Sequence, residues 1–195
     1  PSHARVVIIG GGVVGCSVAY HLTELGWTDI VLLERKTLTC GTTWHAAGLI
    51  AQLRATQNMT RLAKYSQELY ASLEQKTGVA TGFRQNGSIT VALTDARMEE
   101  LRRGAAMARA FGVEIDEVSA ADIASRYPGL NVFDAKGGVY LAKDGQADPV
   151  NITQALAKGA RAKGAKIIEG VKVTAINHKD GVVGSVSTTQ GEIKV

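Results

Sequence analysis

Three glycines set close behind a β-branched run constrain this chain more than any other feature. Arg5-Val-Val-Ile-Ile9 has the character of a strand buried on both faces, and Gly10-Gly-Gly12-Val-Val-Gly15 follows it without a break. G-x-G-x-x-G at this place predicts a strand, a tight turn and a helix. The first glycine permits the turn, the second lets the main chain approach a pyrophosphate, and the third lets the helix lie close to the sheet. The N–H groups at the helix start, Val13 and Val14 among them, are expected to face the anionic phosphates. Val14, Val18, Leu22 and Leu25 recur at helical spacing, Gly15 and Ala19 leave a thin face for close packing, and Gly26 stands where a left-handed cap ends a helix. Ile30-Val-Leu-Leu-Glu34 reads as a second buried strand, so the chain opens with a parallel, right-handed β-α-β unit.

Glu34 lies 19 residues beyond Gly15, at the end of that second strand. An acid there accepts hydrogen bonds from both ribose hydroxyls of an adenosine and repels a 2′-phosphate, which disfavours NADP and leaves FAD and NAD both open. Arg35 to Gly48 reads as a loop rich in Thr and Gly, and its small residues suit a backbone that passes along a dinucleotide. Within it His45, taken alone, is an ordinary surface histidine.

The pattern beyond the loop predicts a helix over Met59–Lys76, a strand over Gly87–Leu93 and a charged amphipathic helix over Asp95–Phe111, with a capping box at Ser119-Ala-Ala-Asp122. Asp148-Pro149 then supplies an N-cap and a proline at the first helical position, for a helix running to Lys163. Strands follow at Lys166–Glu169 and Val171–Ile176, then a hairpin through Lys179-Asp-Gly181 and a last strand. The expected fold is α/β: a Rossmann-like FAD/NAD(P)-binding domain, a parallel sheet with helices, carrying an inserted β-rich α+β portion of a substrate domain. The expected boundaries are 1–77 for the first part of the nucleotide domain, 78–147 for the insertion and 148–195 for the return.

Composition narrows the partners. With 45% hydrophobic and 21% charged residues, 195 residues can bury a real core. The net charge of +4 is spread along the chain without a Lys/Arg block, which argues against nucleic acid. No apolar stretch approaches the roughly 20 residues of a membrane span. Cys16 and Cys40 have neither metal-site spacing nor the density of a disulfide scaffold, so both read as packing residues in a reducing compartment. The expected location is the cytoplasm if the source is a bacterium and the mitochondrial matrix if it is a eukaryote.

The strand with Gly10, Gly12 and Gly15, the pair Glu34-Arg35, and the run Gly41-Thr42-Thr43-Trp44-His45-Ala46-Ala47-Gly48 resemble the sarcosine and dimethylglycine dehydrogenases of the D-amino acid oxidase superfamily. Gln85-Asn-Gly-Ser88, Asp144-Gly-Gln-Ala-Asp-Pro149 and Gly164-Ala-Lys-Ile-Ile-Glu169 are similar to the same subgroup, so the resemblance covers essentially the whole chain. It implies FAD joined through its 8α-methyl carbon to His45, a segment from Gly41 to Leu49 wrapped about the flavin, and an adenine edge read by the backbone of Val173. It also implies a small N-methylated amino acid as substrate, oxidised to an iminium that hydrolyses to formaldehyde. Electron-transfer flavoprotein or oxygen would reoxidise the flavin, and tetrahydrofolate would take the one-carbon unit in longer members. Arg54 and Arg84 are candidates by location for holding the substrate carboxylate. The chain departs from the family in length: a second glycine-rich stretch and most of the substrate domain are expected beyond Val195, and the catalytic residues with them. Two other readings stand beside this one, a catalytically silent regulatory homologue of the same fold and an NAD-dependent dehydrogenase.

Overall fold

The computed structural model describes residues 1–195. In chain order the first elements are β1 (Val6–Ile9), α1 (Val13–Glu24), β2 (Ile30–Leu33), a single 3-10 turn at Thr43–His45, β3 (Leu49–Ile50) and α2 (Gln57–Thr77). Then come β4 (Ser88–Ala92), α3 (Asp95–Ala110), β5 (Asp116–Val118), α4 (Ala120–Arg126), β6 (Gly137–Leu141) and β7 (Gly145–Gln146). The chain finishes with α5 (Pro149–Ala162), β8 (Lys166–Ile168), β9 (Val173–Lys179), β10 (Val182–Thr188) and β11 (Gly191–Lys194). These form two compact units, one of residues 1–48, 72–82 and 148–195, the other of 49–71 and 83–147.

The first unit is an α/β fold. Its parallel sheet has the order β1-β2-β8, with Val6 opposite Ile30 and Val31 opposite Lys166. All four residues of β2 are buried, as a central strand covered on both faces requires. Val31 and Leu33 point to one face, where Val171, Val186 and Ile193 complete a core with the antiparallel meander β9-β10-β11. Helices α1 and α5 pack against each other through small residues: Cys16, Ala19, Ala155 and Ala160 are fully buried, and a Cβ on Gly159 would come within 2.6 Å of the Tyr20 ring. Asp148 caps α5 by accepting from the N–H groups of Val150 and Asn151, as its Asp-Pro start predicts.

Helix α1 packs by the thin face that Gly15 and Ala19 predict, and its larger aliphatic residues stay outside. Cys16, Ala19, Tyr20 and Thr23 are its buried residues, whereas Val14 is 73% and Leu25 75% exposed. The small face is the packed one because Gly15 must sit against the glycine turn. Gly26 (φ +80) closes the helix as expected: its N–H reaches Thr23 O while the Trp27 N–H reaches Leu22 O, the paired bonds of a left-handed cap.

In the second unit α3 lies on an antiparallel sheet of order β4-β6-β5, and Ala92, Met98, Leu101, Ala105, Val139 and Leu141 form its core. The capping box of α4 is present, with Ser119 and Asp122 each bonding the other's main-chain N–H. Strands β5, β6 and β7 carry no alternation long enough to single them out in the sequence. Another difference concerns Val171, expected in a strand. Its N–H instead bonds Glu34 O and its side chain fills the core, so β9 starts only at Val173.

Candidate functional site

The turn between β1 and α1 opens a cleft of about 670 Å³, within the usual range for small-molecule sites. Two of its glycines are required by geometry. Gly10 has φ +107, and a Cβ on Gly15 would stand 2.0 Å from the Gly10 carbonyl oxygen. The x residue Gly11 is also confined, by side chains and not by backbone, since a Cβ there would meet Leu38 at 2.5 Å and Glu34 at 2.9 Å. That requirement is invisible in a pattern leaving the position free.

Glu34 is only 8% exposed, and its carboxylate is tied into the protein itself. One oxygen accepts the Gly11 N–H at 2.7 Å, the other the Lys36 N–H at 2.9 Å, and the Cys40 thiol lies 3.6 Å from the latter. Burial is the largest single influence and would raise its pKa. The two amides, the Cys40 thiol and the Arg35 charge together outweigh it and hold the carboxyl below the usual glutamate value. A carboxylate oxygen accepts more than one hydrogen bond, so the same group can still receive ribose hydroxyls. The neighbouring loop is pinned as well: Thr39, at φ +69, donates its N–H to Gly11 O, and the Leu38 N–H donates to Glu169. Burial pushes the Cys16 thiol up to about 12, which leaves it an inert packing group.

At the head of α1 the Val13 N–H already has a protein acceptor, the hydroxyl of buried Thr43 at 3.0 Å. Thr43 thus caps a helix 30 residues upstream, a role no local spacing announces, and its own hydroxyl proton remains free to be donated. The first main-chain bond of the helix runs from Cys16 N–H to Gly12 O at 3.0 Å. The amides of Val14 and Gly15 therefore stand ahead of the hydrogen-bonded ladder, with the helix dipole behind them. Glycine-lined walls, an anion-seeking helix end and a buried carboxylate together fit the adenosine and pyrophosphate of a dinucleotide.

The cleft gathers Gly10, Gly12, Val13, Val14, Gly15, Glu34, Arg35, Gly41, Thr42, Thr43 and Ala46, together with Ile8, Ile9, Gly11, Val18 and Cys40. It does not include Trp44, His45, Ala47, Gly48, Leu49 or Val173 in its wall. His45 is exposed at the end of the 3-10 turn, its N–H bonded to Thr42 O and its ring 3.8 Å from the Trp44 ring. Leu49 lines a separate cavity in the second unit, and Val173 pairs with Thr188 in the meander. No helix is long and apolar enough to cross a membrane.

A family model described as "DAO: FAD dependent oxidoreductase" matches residues 5–195. Mitochondrial sarcosine dehydrogenase of Homo sapiens is 43% identical over 90% of this chain and 19% of the relative. Mitochondrial dimethylglycine dehydrogenase of Homo sapiens is 39% identical over 98% of the chain and 22% of the relative. The mitochondrial pyruvate dehydrogenase phosphatase regulatory subunit of Mus musculus is 38% identical over 100% of the chain and 22% of the relative. The chain therefore spans only about a fifth of the length of these relatives. Among solved structures, L-proline dehydrogenase from P. horikoshii superposes with a TM-score of 0.94 at 26% identity, covering 100% of this chain and 51% of the other.

Proposed function

Because the chain belongs to the FAD-dependent oxidoreductase family, we propose that it forms the dinucleotide-binding part of an enzyme that oxidises the N-methyl group of sarcosine or dimethylglycine. The observation that carries the reading is the glycine turn bonded to Glu34 inside the cleft, in a chain about 40% identical to two such dehydrogenases. The amides of Val14 and Gly15 and the Thr43 hydroxyl would receive the pyrophosphate, and Glu34 the adenosine ribose. The backbone of Val173 would read the adenine edge, and the Gly41–Leu49 segment would wrap the flavin. When bound, the flavin supplies the two-electron acceptor; the protein's part is to bind, orient and keep water out. His45 is the residue we assign to the covalent bond at the 8α carbon, since a neutral imidazole nitrogen is a competent nucleophile. Electron-transfer flavoprotein or oxygen would then take the electrons onward, and tetrahydrofolate the one-carbon unit.

A second reading, an FAD-binding regulatory protein without turnover, is favoured by the 38% identity to the phosphatase regulatory subunit over the whole chain. One experiment separates the two. The intact protein is purified, precipitated with acid, and separately mixed with sarcosine or dimethylglycine without oxygen. Yellow colour kept in the pellet and bleaching by either amine are the expected results. A coloured protein that neither amine bleaches supports the regulatory reading, and a colourless one rejects both.

A further inference from the structure

The second unit carries a polar cavity of about 280 Å³ that shares no lining residue with the dinucleotide cleft or with the cavity that Leu49 lines. One wall is a stripe of α2: Lys64, Gln67, Glu68 and Ala71 stand at i, i+3, i+4 and i+7, the spacing of a single helix face. A helix face turned toward its own protein is expected to be apolar, and this one is polar. Gln52, ahead of α2, Glu114, ahead of β5, and Lys143, after β6, contribute from other elements.

Gln67 sets this cavity apart. It is only 2% exposed, its amide oxygen accepts from the Gln52 amide, and its Nε2 is the one buried side-chain polar atom of the chain without a hydrogen-bond partner. Gln52 is itself held, its N–H bonded to the buried Asp144 carboxylate at 2.9 Å. A buried amide N–H without an acceptor is costly, and the protein supplies none. The charges nearby are unevenly compensated. Lys143 donates to Glu114 at 2.7 Å, and that bond and charge, with a smaller contribution from Lys64, hold the Glu114 carboxyl below its usual value. Lys64 gives one of its three donors to the neutral Gly112 carbonyl at 2.6 Å. Neither Lys64 nor Glu68 joins an ion pair.

The lining therefore offers two donors with no acid to meet them, Gln67 Nε2 and the Lys64 ammonium, and one acid with no base, Glu68. A water molecule answers the amide alone. A ligand with an anionic acceptor and a cationic donor a few bonds apart answers all three. We propose that this cavity binds a small free amino acid as its zwitterion, the carboxylate on Gln67 Nε2 and Lys64 and the ammonium on Glu68. Its volume lies just under the usual range for drug-sized ligands, which suits a short side chain. The site needs neither flavin nor turnover, so it does not rest on the proposed function.

The test is calorimetric titration of the intact protein with glycine, and with acetate and methylamine as its two halves. Wild type should bind glycine at least tenfold more tightly than either half. Lys64→Met and Glu68→Gln should each raise the glycine Kd at least tenfold while flavin content stays unchanged. Gln67→Glu keeps an oxygen for the Gln52 amide and puts an acid where the free donor stood, so it should abolish glycine binding. Lys64 is half-buried and Glu68 exposed, so those two variants keep the test decisive if Gln67→Glu misfolds. Acetate bound as tightly as glycine would show a plain anion site and overturn the zwitterion assignment. No glycine binding in wild type, or an equal Kd in wild type and the variants, overturns the site itself. Absence of flavin or of turnover bears on the proposed function alone.

Discussion

Alanine placed at two helical glycines should move stability in opposite directions, and the sign at each follows from what a Cβ would meet. At Gly15 the added carbon stands 2.0 Å from the Gly10 carbonyl oxygen, where real contacts essentially never fall below 3.0 Å, so helix α1 or the turn must retreat by about 1 Å. The obstacle is backbone and cannot rotate aside. Overpacking of this kind costs about 3 kcal/mol at the upper end of its usual range. Better helix propensity returns at most about 1 kcal/mol, which leaves a net loss of about 2 kcal/mol. At Gly104, inside α3, nothing lies within 4 Å, and only the propensity gain of about 0.4–1 kcal/mol remains. Urea unfolding followed by circular dichroism reads both. With a slope of about 2 kcal/mol per molar, Gly15→Ala should lower the midpoint by about 1 M and Gly104→Ala raise it by a few tenths. A Gly15→Ala protein as stable as wild type would refute the claim that the third glycine is there to let the helix approach.

Three further outcomes are expected. Glu34→Gln should flatten the acid limb of the stability curve: a carboxyl held below its usual value stabilises the fold above the unfolded-state pKa, and that contribution is lost as pH falls through the lowered one, so wild type and variant should converge in acid. Thermal melts from neutral pH downward read this, and parallel curves would count against it. Thr43→Val, which takes the acceptor from the Val13 N–H, should cost about 1–2 kcal/mol and weaken FAD retention on dialysis, whereas Thr42→Val, at an exposed neighbour, should cost much less. His45→Ala should abolish acid-stable colour while dialysable FAD still binds, and colour surviving acid precipitation in that variant would remove His45 from the role.

The order of the fold was legible because its signals are local. A β-branched run, three glycines at fixed spacing and a second apolar run suffice for a β-α-β unit, since each glycine answers a constraint set by its own neighbours. Asp148-Pro149 and Ser119-to-Asp122 mark helix starts for the same reason: a cap and the amides it satisfies lie within one turn.

The sequence by itself thus determined the opening β-α-β unit, the helices and the kind of ligand the first turn can hold. The thin face at Gly15 and Ala19 was legible, but only the tertiary structure decided that the Val14 stripe stays exposed, because periodicity shows that a stripe exists and not whether it meets a partner. Val14 and Leu25 form the more hydrophobic side, yet the small side carries the packing, since Gly15 has to touch Gly10 O. It also decided that Glu34 holds Gly11 and that Thr43 caps a helix begun 30 residues earlier. Each of these joins groups far apart along the chain, and a hydrogen bond depends on position in space rather than on separation in sequence.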